Sequence, residues 1–416
     1  MNTHAGFPTT ARARLVFTLL SFFGIALLLG GIGTAQAAQE SPIRIGIISP
    51  MGVAVGKGIS RAAKLAEQEI NANGGIEGRP VKVFVLDDGL SASEAVRDFQ
   101  RLVQQHHVVA VIGSWTSEIA LALEPWAARL KTPFIVADAG SPVITEKVHK
   151  HYSQYKYVFS MQANSIIMAH TFCDFAKHVL KKKHRVTSAA ILSEDAKWTQ
   201  LLDKTYETCL PQAGIKVTDH IRFDPDTHDF TPIFNRIEAH HPSMIATGLS
   251  HTGLRVTVQW TQKQVPVVMA GMNYEATSGG FWGESNGAAQ GVMTLSGPVP
   301  GIALSSKTNH YMNAFAKKFG SDSSAGYGVS TYDAMYILRN AIKRAGSTQA
   351  DAMVSALEKT HYVGAGAIKP IRFYGRSNRF THNSTYHWIM VEWQNGKRVP
   401  VWPPKIAKPV TIPSWQ

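Results

Sequence analysis

Cysteine is nearly absent from this sequence of 416 residues, which contains only Cys173 and Cys209. No Cys/His spacing typical of a zinc site occurs, and the H-E-x-x-H pattern is missing too, so we expect no metal site. Both cysteines fall on predicted helices that flank one predicted strand. They form either a disulfide, which export from the cytoplasm would permit, or two separate buried thiols.

Complete phosphate-binding motifs are also missing. Residues 43–60, IRIGIISPMGVAVGKGIS, predict a strand, a Gly-rich loop and the start of a helix, as at the start of nucleotide-binding domains. Gly52 and Gly56 are separated by only three residues, however, and Lys57 is followed by Gly58. Neither G-x-x-x-x-G-K-[ST] nor G-x-G-x-x-G is therefore complete. We expect no cofactor, and we expect this loop to face a small solute.

The sequence offers little support for catalysis. The segment GLSHTG at 248–253 is one residue too long for the nucleophile motif G-x-S-x-G. Asp87 and Asp88 are adjacent, so on a strand they would point to opposite faces and could not act as an acid and base pair. We therefore expect no catalytic residues. An enzyme is kept as an alternative, which predicts turnover of a bound small molecule.

Acidic residues are fewer than basic ones, 29 against 42, which gives a formal net charge of +13. This balance favours either solubility alone or contact with an anionic ligand or membrane surface. The one dense basic run, LKKKHR at 180–185, has no interleaved aromatic residues. We interpret it as a solvated helix end and expect no binding to nucleic acid.

Long apolar runs are absent except near the N-terminus, at 15–33. A basic segment precedes this run, and small residues with an A-x-A-like site follow it, which predicts a signal peptide over 1–38 with cleavage after Ala37 or Ala38. The protein is then expected in the periplasm. Because the run is long, an uncleaved membrane anchor is the alternative.

The rest of the chain alternates strand-like and helical segments. One series runs from IRIGIIS to PFIVAD, and a second runs from TSAAILS to PVVMAG. Continuous apolar strands separated by amphipathic helices predict parallel sheets with helices on both faces. The two series predict an α/β fold of two doubly wound lobes with a cleft between them. The Pro-rich residues 401–416 predict an extended surface tail.

Five segments, in this order, resemble the type I periplasmic solute-binding proteins of ABC transporters, the family of the leucine/isoleucine/valine receptors. They are IRIGIISPMG, AEQEINANGGIEGRPVKVFVLDDG, VVAVIGSWTSEIALALEPWAARLKTPFIVADAGSPVIT, YVFSMQANS and STYDAMYILRNAIKRAGST. The resemblance covers about 42 to 400. It implies three hinge crossings between the two lobes. Lobe 1 would comprise 39–161 and 294–366, and lobe 2 would comprise 162–293 and 367–400.

The resemblance also implies a function. Such a protein captures a small organic solute between its lobes by a hinge motion and delivers it to an inner-membrane ABC permease. A monomer is expected. The same fold serves in receptors and regulators, so a ligand-sensing subunit for a membrane signalling receptor is the alternative.

Two loops of lobe 1 match the family positions that hold a ligand carboxylate. They contain Trp115, Thr116 and Ser117 after the third strand, and Asp138, Ala139, Gly140 and Ser141 after the fourth. Hydroxyl and backbone N–H groups at helix N-termini suit an anionic group. Simple capping of the next helix is the alternative role for Thr116 and Ser117.

In lobe 2, Trp198 matches the family's aromatic residue that closes over the ligand, and a core position is the alternative. Ser250 lies at another ligand-loop position. Asn273 matches the acidic residue that pairs with a ligand ammonium, and Tyr274 follows it. Since an Asn cannot neutralise a buried ammonium, we expect a less acidic site and an organic or aromatic acid rather than a plain α-amino acid. A branched-chain amino acid is the alternative ligand.

Overall fold

The computed structural model describes residues 41–320 and 324–412. The predicted signal peptide lies outside the described residues, as does the end of the predicted tail. No helix in the described ranges is both long and apolar enough to cross a membrane.

The strands and helices alternate as the sequence pattern predicts. The strands are β1 (Ile43–Ser49), β2 (Val81–Asp87), β3 (Ala110–Gly113), β4 (Phe134–Val136), β5 (Val158–Ser160), β6 (Ser188–Glu194), β7 (Lys216–Phe223), β8 (Met244–Leu249), β9 (Val268–Asn273), β10 (Met293–Ser296), β11 (Ile389–Gln394) and β12 (Lys397–Trp402). The helices are α1 (Ala54–Ala72), α2 (Ala92–Gln104), α3 (Ser117–Arg129), α4 (Val143–Lys150), α5 (Tyr152–Tyr155), α6 (Ser165–Phe175), α7 (Lys182–His184), α8 (Thr199–Gln212), α9 (Thr231–Ala239), α10 (Gly253–Lys263), α11 (Phe281–Glu284), α12 (Thr308–Phe319), α13 (Ala325–Ala345) and α14 (Ala350–Leu357).

The strands form two sheets, which define the two lobes. Lobe 1 contains a five-stranded sheet of order β2-β1-β3-β4-β5, and all its pairings are parallel. Lobe 2 contains a seven-stranded sheet of order β12-β11-β10-β9-β8-β6-β7, in which only β11 and β12 run antiparallel to their neighbours. The strand order reverses beside β1 in the first sheet and beside β6 in the second. Ligand crevices form at such switch points, at the carboxyl ends of the strands.

Two predicted boundaries differ from the structure. All of β10 lies in the lobe 2 sheet, whereas the prediction assigned 294 onward to lobe 1. The predicted tail from 401 begins two residues early, because β12 continues to Trp402. The hairpin between β11 and β12 turns at Asn395 and Gly396, both with positive φ, which is the sequence signal for a two-residue turn. Pro400 is tolerated because β12 is an edge strand.

A disulfide joins Cys173 in α6 to Cys209 in α8, with 6.0 Å between their Cα atoms. It decides between the two states that the sequence left open. The two cysteines are 36 residues apart in sequence. Their bond links the two helices that cover one face of the lobe 2 sheet.

Helices α1 and α13 cross in close contact because glycines lie at the crossing. A Cβ on Gly328 would lie 2.3 Å from the carbonyl oxygen of Gly58, and one on Gly58 would lie 2.5 Å from that of Ser324. Real side chains cannot approach a backbone this closely. The crossing fixes α13 on lobe 1, which matters because Ser330 on α13 donates a hydrogen bond to Asp138 in the cavity wall, as described below.

We expect Gly328→Ala to lower the free energy of unfolding by about 1–3 kcal/mol, since the added methyl group forces the two helices apart. Chemical denaturation monitored by circular dichroism measures this. Gly283→Ala is the matched control, because a Cβ there meets nothing within 4 Å. An equal effect of the two substitutions would contradict the close crossing.

Candidate functional site

A cavity of about 350 Å³ lies between the carboxyl ends of the two sheets. The loops after β3 and β4 contribute from lobe 1, and the loops after β6, β7, β8 and β9 contribute from lobe 2. Its lining consists of Trp115, Thr116, Ser117, Glu118, Asp138, Gly140, Met168, Asp195, Ala196, Trp198, Pro225, Asp226, Ser250, His251, Arg255, Met272 and Tyr274. Pockets for small ligands commonly have this size and this mixture of apolar walls and few polar groups.

Aromatic side chains form the walls of the cavity. The ring of Trp115 from lobe 1 lies 4.7 Å from the ring of His251 in lobe 2 and 6.0 Å from that of Tyr274, between centroids. Tyr274 in turn stacks on Tyr327 at 5.4 Å. Trp198 also lines the cavity, and its buried Nε1–H has no hydrogen-bond partner among the described residues. These flat surfaces suit a ligand with an apolar or aromatic body.

The first turn of α3 faces the cavity from lobe 1. Thr116 occupies the N-cap position, but its side chain makes no capping hydrogen bond. The hydroxyl of Ser117 accepts a hydrogen bond from the backbone N–H of Ser141 at 3.1 Å. The capping role that the sequence allowed for Thr116 is therefore wrong. The N–H groups of the first turn are available to an anion, which the helix dipole also favours.

A buried carboxylate organises the lobe 2 side of the cavity. Glu194, the last residue of β6, is fully buried and accepts hydrogen bonds from the hydroxyls of Ser250 and Thr252 and from the backbone N–H of His251. The imidazole Nδ1 of His251 also lies 3.2 Å from its Oε1. Four groups on one short loop thus converge on a single side chain, and this fixes the loop against β6.

Glu194 and His251 hold each other in their charged forms. Burial alone would raise the pKa of Glu194, but hydrogen bonding to His251 and the charge of that residue outweigh burial and hold the pKa below its usual range. Burial would likewise lower the pKa of His251, but its bond to Glu194 and the negative charge of that residue raise it. The raised pKa favours the cationic form of the imidazole, which lies in the cavity wall against Trp115.

Arg255 supplies a second cation. Its guanidinium donates to the backbone carbonyl of Pro225 at 2.7 Å and contacts His228 Nδ1 at 3.0 Å. Neither partner is an anion, so these bonds do not neutralise the positive charge of Arg255. With His251 it makes the lobe 2 wall attractive to an anionic ligand.

Four carboxylates also line the cavity, but three of them are engaged. Glu118 accepts a hydrogen bond from the backbone N–H of Lys197 at 3.1 Å, a contact between the lobes. Asp195 pairs with Arg222 at 2.6 Å, and Asp138 is held by lobe 1 groups. Asp226 is exposed at the rim. Of these four, only Asp195 is paired with a cation; Glu118 is exposed and bonds an uncharged N–H group, and burial raises the pKa of Asp138.

Asp138 is buried at the deep end of the cavity. Its Oδ1 accepts hydrogen bonds from Ser330 at 2.7 Å and Gln162 at 2.8 Å. Burial raises the pKa of Asp138 to about 7, although those two bonds and the Tyr274 hydroxyl lower it. No hydrogen bond of normal geometry reaches the second oxygen, Oδ2.

The segment GESNG at 283–287 does fit the nucleophile motif, unlike the longer segment at 248–253. Its Ser285 is buried, donates to the carbonyl of Trp282 at 3.2 Å and accepts from the N–H of Ala289 at 3.3 Å. It follows the short helix α11 and does not occupy the sharp strand-to-helix turn that exposes a catalytic serine. This motif therefore carries no nucleophile.

Comparison with known proteins now identifies the family. Residues 42–398 match the family described as periplasmic binding protein. The chain belongs to the periplasmic binding protein family.

Relatives of this periplasmic binding protein include a Leu/Ile/Val-binding protein homolog of Brucella abortus, which is 21% identical over 92% of this chain and 97% of that protein. Among solved structures, the branched-chain amino acid transporter substrate-binding protein of Streptococcus pneumoniae in complex with isoleucine superposes with a TM-score of 0.74, at 20% identity, over 86% of this chain and 97% of its own. A solute-binding protein of an R. palustris ABC transporter in complex with benzoate reaches 0.75, at 17% identity, over 90% and 98%. The predicted family and the predicted fold class are confirmed.

The structure brings together most of the residues predicted for the ligand site of this periplasmic binding protein. Trp115, Thr116, Ser117, Asp138, Gly140, Trp198, Ser250 and Tyr274 all line the cavity. The hydroxyl of Ser250 donates its hydrogen bond to Glu194, so Ser250 helps to fix the conformation of its loop.

Asn273, Ala139 and Ser141 are not part of the cavity lining. Strand alternation directs Met272 and Tyr274 to the cavity and Asn273 to the opposite face, where its amide bonds the carbonyl of Gly253 and the hydroxyl of Thr257. Ala139 is buried in the lobe 1 core. These three placements in the ligand site are corrected.

The expectation of a site with few acidic residues is wrong, because Glu118, Asp195 and Asp226 also line the cavity and the sequence analysis did not predict them. Asp195 directly follows β6 at the carboxyl end of a parallel strand, which is a signal that the sequence did contain. Met168 and Arg255 lie on helices that only the tertiary fold brings to the cavity.

We expect Glu194→Gln to lower the pKa of His251 towards its ordinary value, because the negative partner is lost. Nuclear magnetic resonance titration of the His251 ring measures this. Glu207→Gln, which removes the exposed partner of His220, is the control and should leave His251 unchanged. An unaltered His251 titration in Glu194→Gln would refute the coupling.

The same pair predicts a pH dependence of stability. The raised pKa of His251 adds stability that is complete below its unfolded-state pKa and is lost as the pH rises through its folded-state pKa. The lowered pKa of Glu194 adds stability above its unfolded-state pKa that is lost as the pH falls through its folded-state pKa. The contribution of the pair to stability should therefore be greatest between about pH 4.5 and 6.5, the ordinary pKa values of the two groups. Thermal unfolding of wild type and Glu194→Gln at a series of pH values measures this.

Proposed function

We propose that this protein binds a small carboxylate with an aromatic or apolar body and delivers it to an inner-membrane ABC permease. The observation that carries the proposal is the pairing of aromatic walls with His251, whose pKa is raised by Glu194, in one cavity. The ligand body would lie between Trp115 and Trp198. Its carboxylate would bind between the uncapped first turn of α3 and His251, so that both lobes hold one ligand.

An α-amino acid fits this cavity less well. Its ammonium needs a buried carboxylate that is free and ionised, since an unpaired buried charge costs several kcal/mol. Asn273 is turned away, Asp195 is paired with Arg222, Glu118 is exposed rather than buried, and burial raises the pKa of Asp138 to about 7. Solved relatives carry both ligand types, an isoleucine in one and a benzoate in another.

A branched-chain amino acid is the second candidate. Asp226 at the rim favours it, because no ion pair within the described part of the chain engages that carboxylate and the relatives in Brucella are named for leucine, isoleucine and valine. In that case the ammonium would lie near the cavity mouth rather than at its deep end.

Isothermal titration of the purified protein with benzoate-type acids and with leucine tests the proposal. We expect the aromatic acids to bind and leucine to bind at least tenfold more weakly. His251→Gln should weaken binding of the acid by about 10- to 100-fold, the value of a charged hydrogen bond. His240→Gln, at an exposed histidine directly after α9, is the control and should bind like wild type. Tight leucine binding would overturn the proposal.

The affinity for the acid should also depend on pH. A carboxylate ligand stays ionised above about pH 5, whereas His251 loses its charge as the pH rises through its raised pKa. We therefore expect the dissociation constant to rise between pH 6 and 9 for wild type and to stay flat for His251→Gln. A pH-independent wild-type affinity would remove His251 from the ligand contact.

We further propose export by a signal peptide cleaved after Ala37 or Ala38 and a monomeric mature protein. The apolar run with its following small residues supports export. Native mass spectrometry of the protein recovered from the periplasm tests both statements, since it reports the chain mass and the number of subunits. A mass that includes 1–38 would favour the uncleaved anchor instead.

A further inference from the structure

A second, much smaller cavity lies behind Asp138 and Tyr274, on the side away from the ligand cleft. Its volume is about 10 Å³. Residues from both lobes and from the chain between them enclose it, among them Ser296 at the end of β10 and Tyr386 just before β11. It therefore lies where the lobes connect.

Three polar atoms that line this cavity have no hydrogen-bond partner among the described protein atoms. They are Asp138 Oδ2, Ser296 Oγ and the Tyr386 hydroxyl. The three residues are 6%, 1% and 2% exposed, so bulk water does not solvate them. Burying such a group without a partner costs about 1–3 kcal/mol in protein mutational data, and three such groups around one cavity are unusual.

The other polar side chains around the cavity are already engaged. Gln162 donates to Asp138 Oδ1 and accepts from the indole N–H of Trp388 at 2.8 Å. Ser330 donates to the same Oδ1 at 2.7 Å. The bonds of these two side chains go to Asp138 Oδ1 and Trp388, and none of them reaches the three unpartnered atoms.

We propose that one water molecule is bound in this cavity and bridges Asp138, Ser296 and Tyr386. The volume equals about one water-sized probe, and a buried water typically makes two to four hydrogen bonds to otherwise unsatisfied groups. The water donates one hydrogen bond to Asp138 Oδ2 and accepts one from each of the hydroxyls of Tyr386 and Ser296. The water thus joins the loop after β4 in lobe 1 to the end of β10 and to the segment before β11 in lobe 2.

Removal of the Tyr386 hydroxyl tests the proposal by the sign of its effect. With the bridging water present, Tyr386→Phe removes a hydrogen bond, and Tm should fall by about 1–2 °C. Without a water, the same change removes an unsatisfied buried hydroxyl, and Tm should rise. An unchanged or higher Tm overturns the proposal.

Two tyrosines serve as matched controls. The hydroxyl of Tyr362 is also buried and has no partner among the described residues, but Tyr362 lines neither the ligand cavity nor the small cavity, so Tyr362→Phe should not lower Tm. The hydroxyl of Tyr311 donates to the carbonyl of Ala325 at 2.6 Å, so Tyr311→Phe should lower Tm. If the proposal is correct, Tyr386→Phe behaves like Tyr311→Phe.

A double-mutant cycle and a crystal structure complete the test. Because Ser296 and Tyr386 would bind the same water, Ser296→Ala should lower Tm less in the Tyr386→Phe background than in wild type. Strict additivity of the two shifts overturns the bridge. A crystal structure at about 1.5 Å should show one density peak within hydrogen-bond distance of all three atoms, and a site without density also overturns it.

Discussion

The site depends on one constraint of parallel sheets: all the strands of a sheet end at the same edge. Each sheet reverses its strand order beside one strand, β1 in lobe 1 and β6 in lobe 2, so the loops there diverge and leave a crevice. Because the two edges face each other, residues far apart in sequence, such as Trp115 and His251, come within 4.7 Å. The helix α13, held on α1 by a glycine crossing, brings Ser330 to the same place.

The fold was largely accessible from the sequence because its signals are local. Apolar strands alternate with amphipathic helices, and this pattern alone predicts two parallel sheets. The predicted element boundaries are wrong where a turn or a change of lobe sets them. The Asn395–Gly396 hairpin carries β12 past the predicted start of the tail, and β10 follows the lobe 2 sheet because its pairing with β9 and β11 depends on tertiary contacts.

The sequence predicted the site residues only where they directly follow the end of a predicted strand. Trp115, Trp198 and Tyr274 follow strands, and they line the cavity. Asn273, which the sequence predicted in the ligand site, is the last residue of β9. Strand alternation turns its side chain to the face opposite the cavity, whereas Met272 and Tyr274 line the cavity. Glu194 illustrates what sequence cannot give. Its role is to hold a loop and a charged histidine, and this depends on four donors that only the folded chain assembles.

The central claim is that the cleft selects an anionic ligand with an aromatic or apolar body. The most direct measurement is native mass spectrometry of the protein isolated from its periplasm without added ligand, before and after denaturation. We predict that denaturation releases one small mass that corresponds to an aromatic or apolar carboxylic acid. Release of leucine or another α-amino acid would contradict the claim.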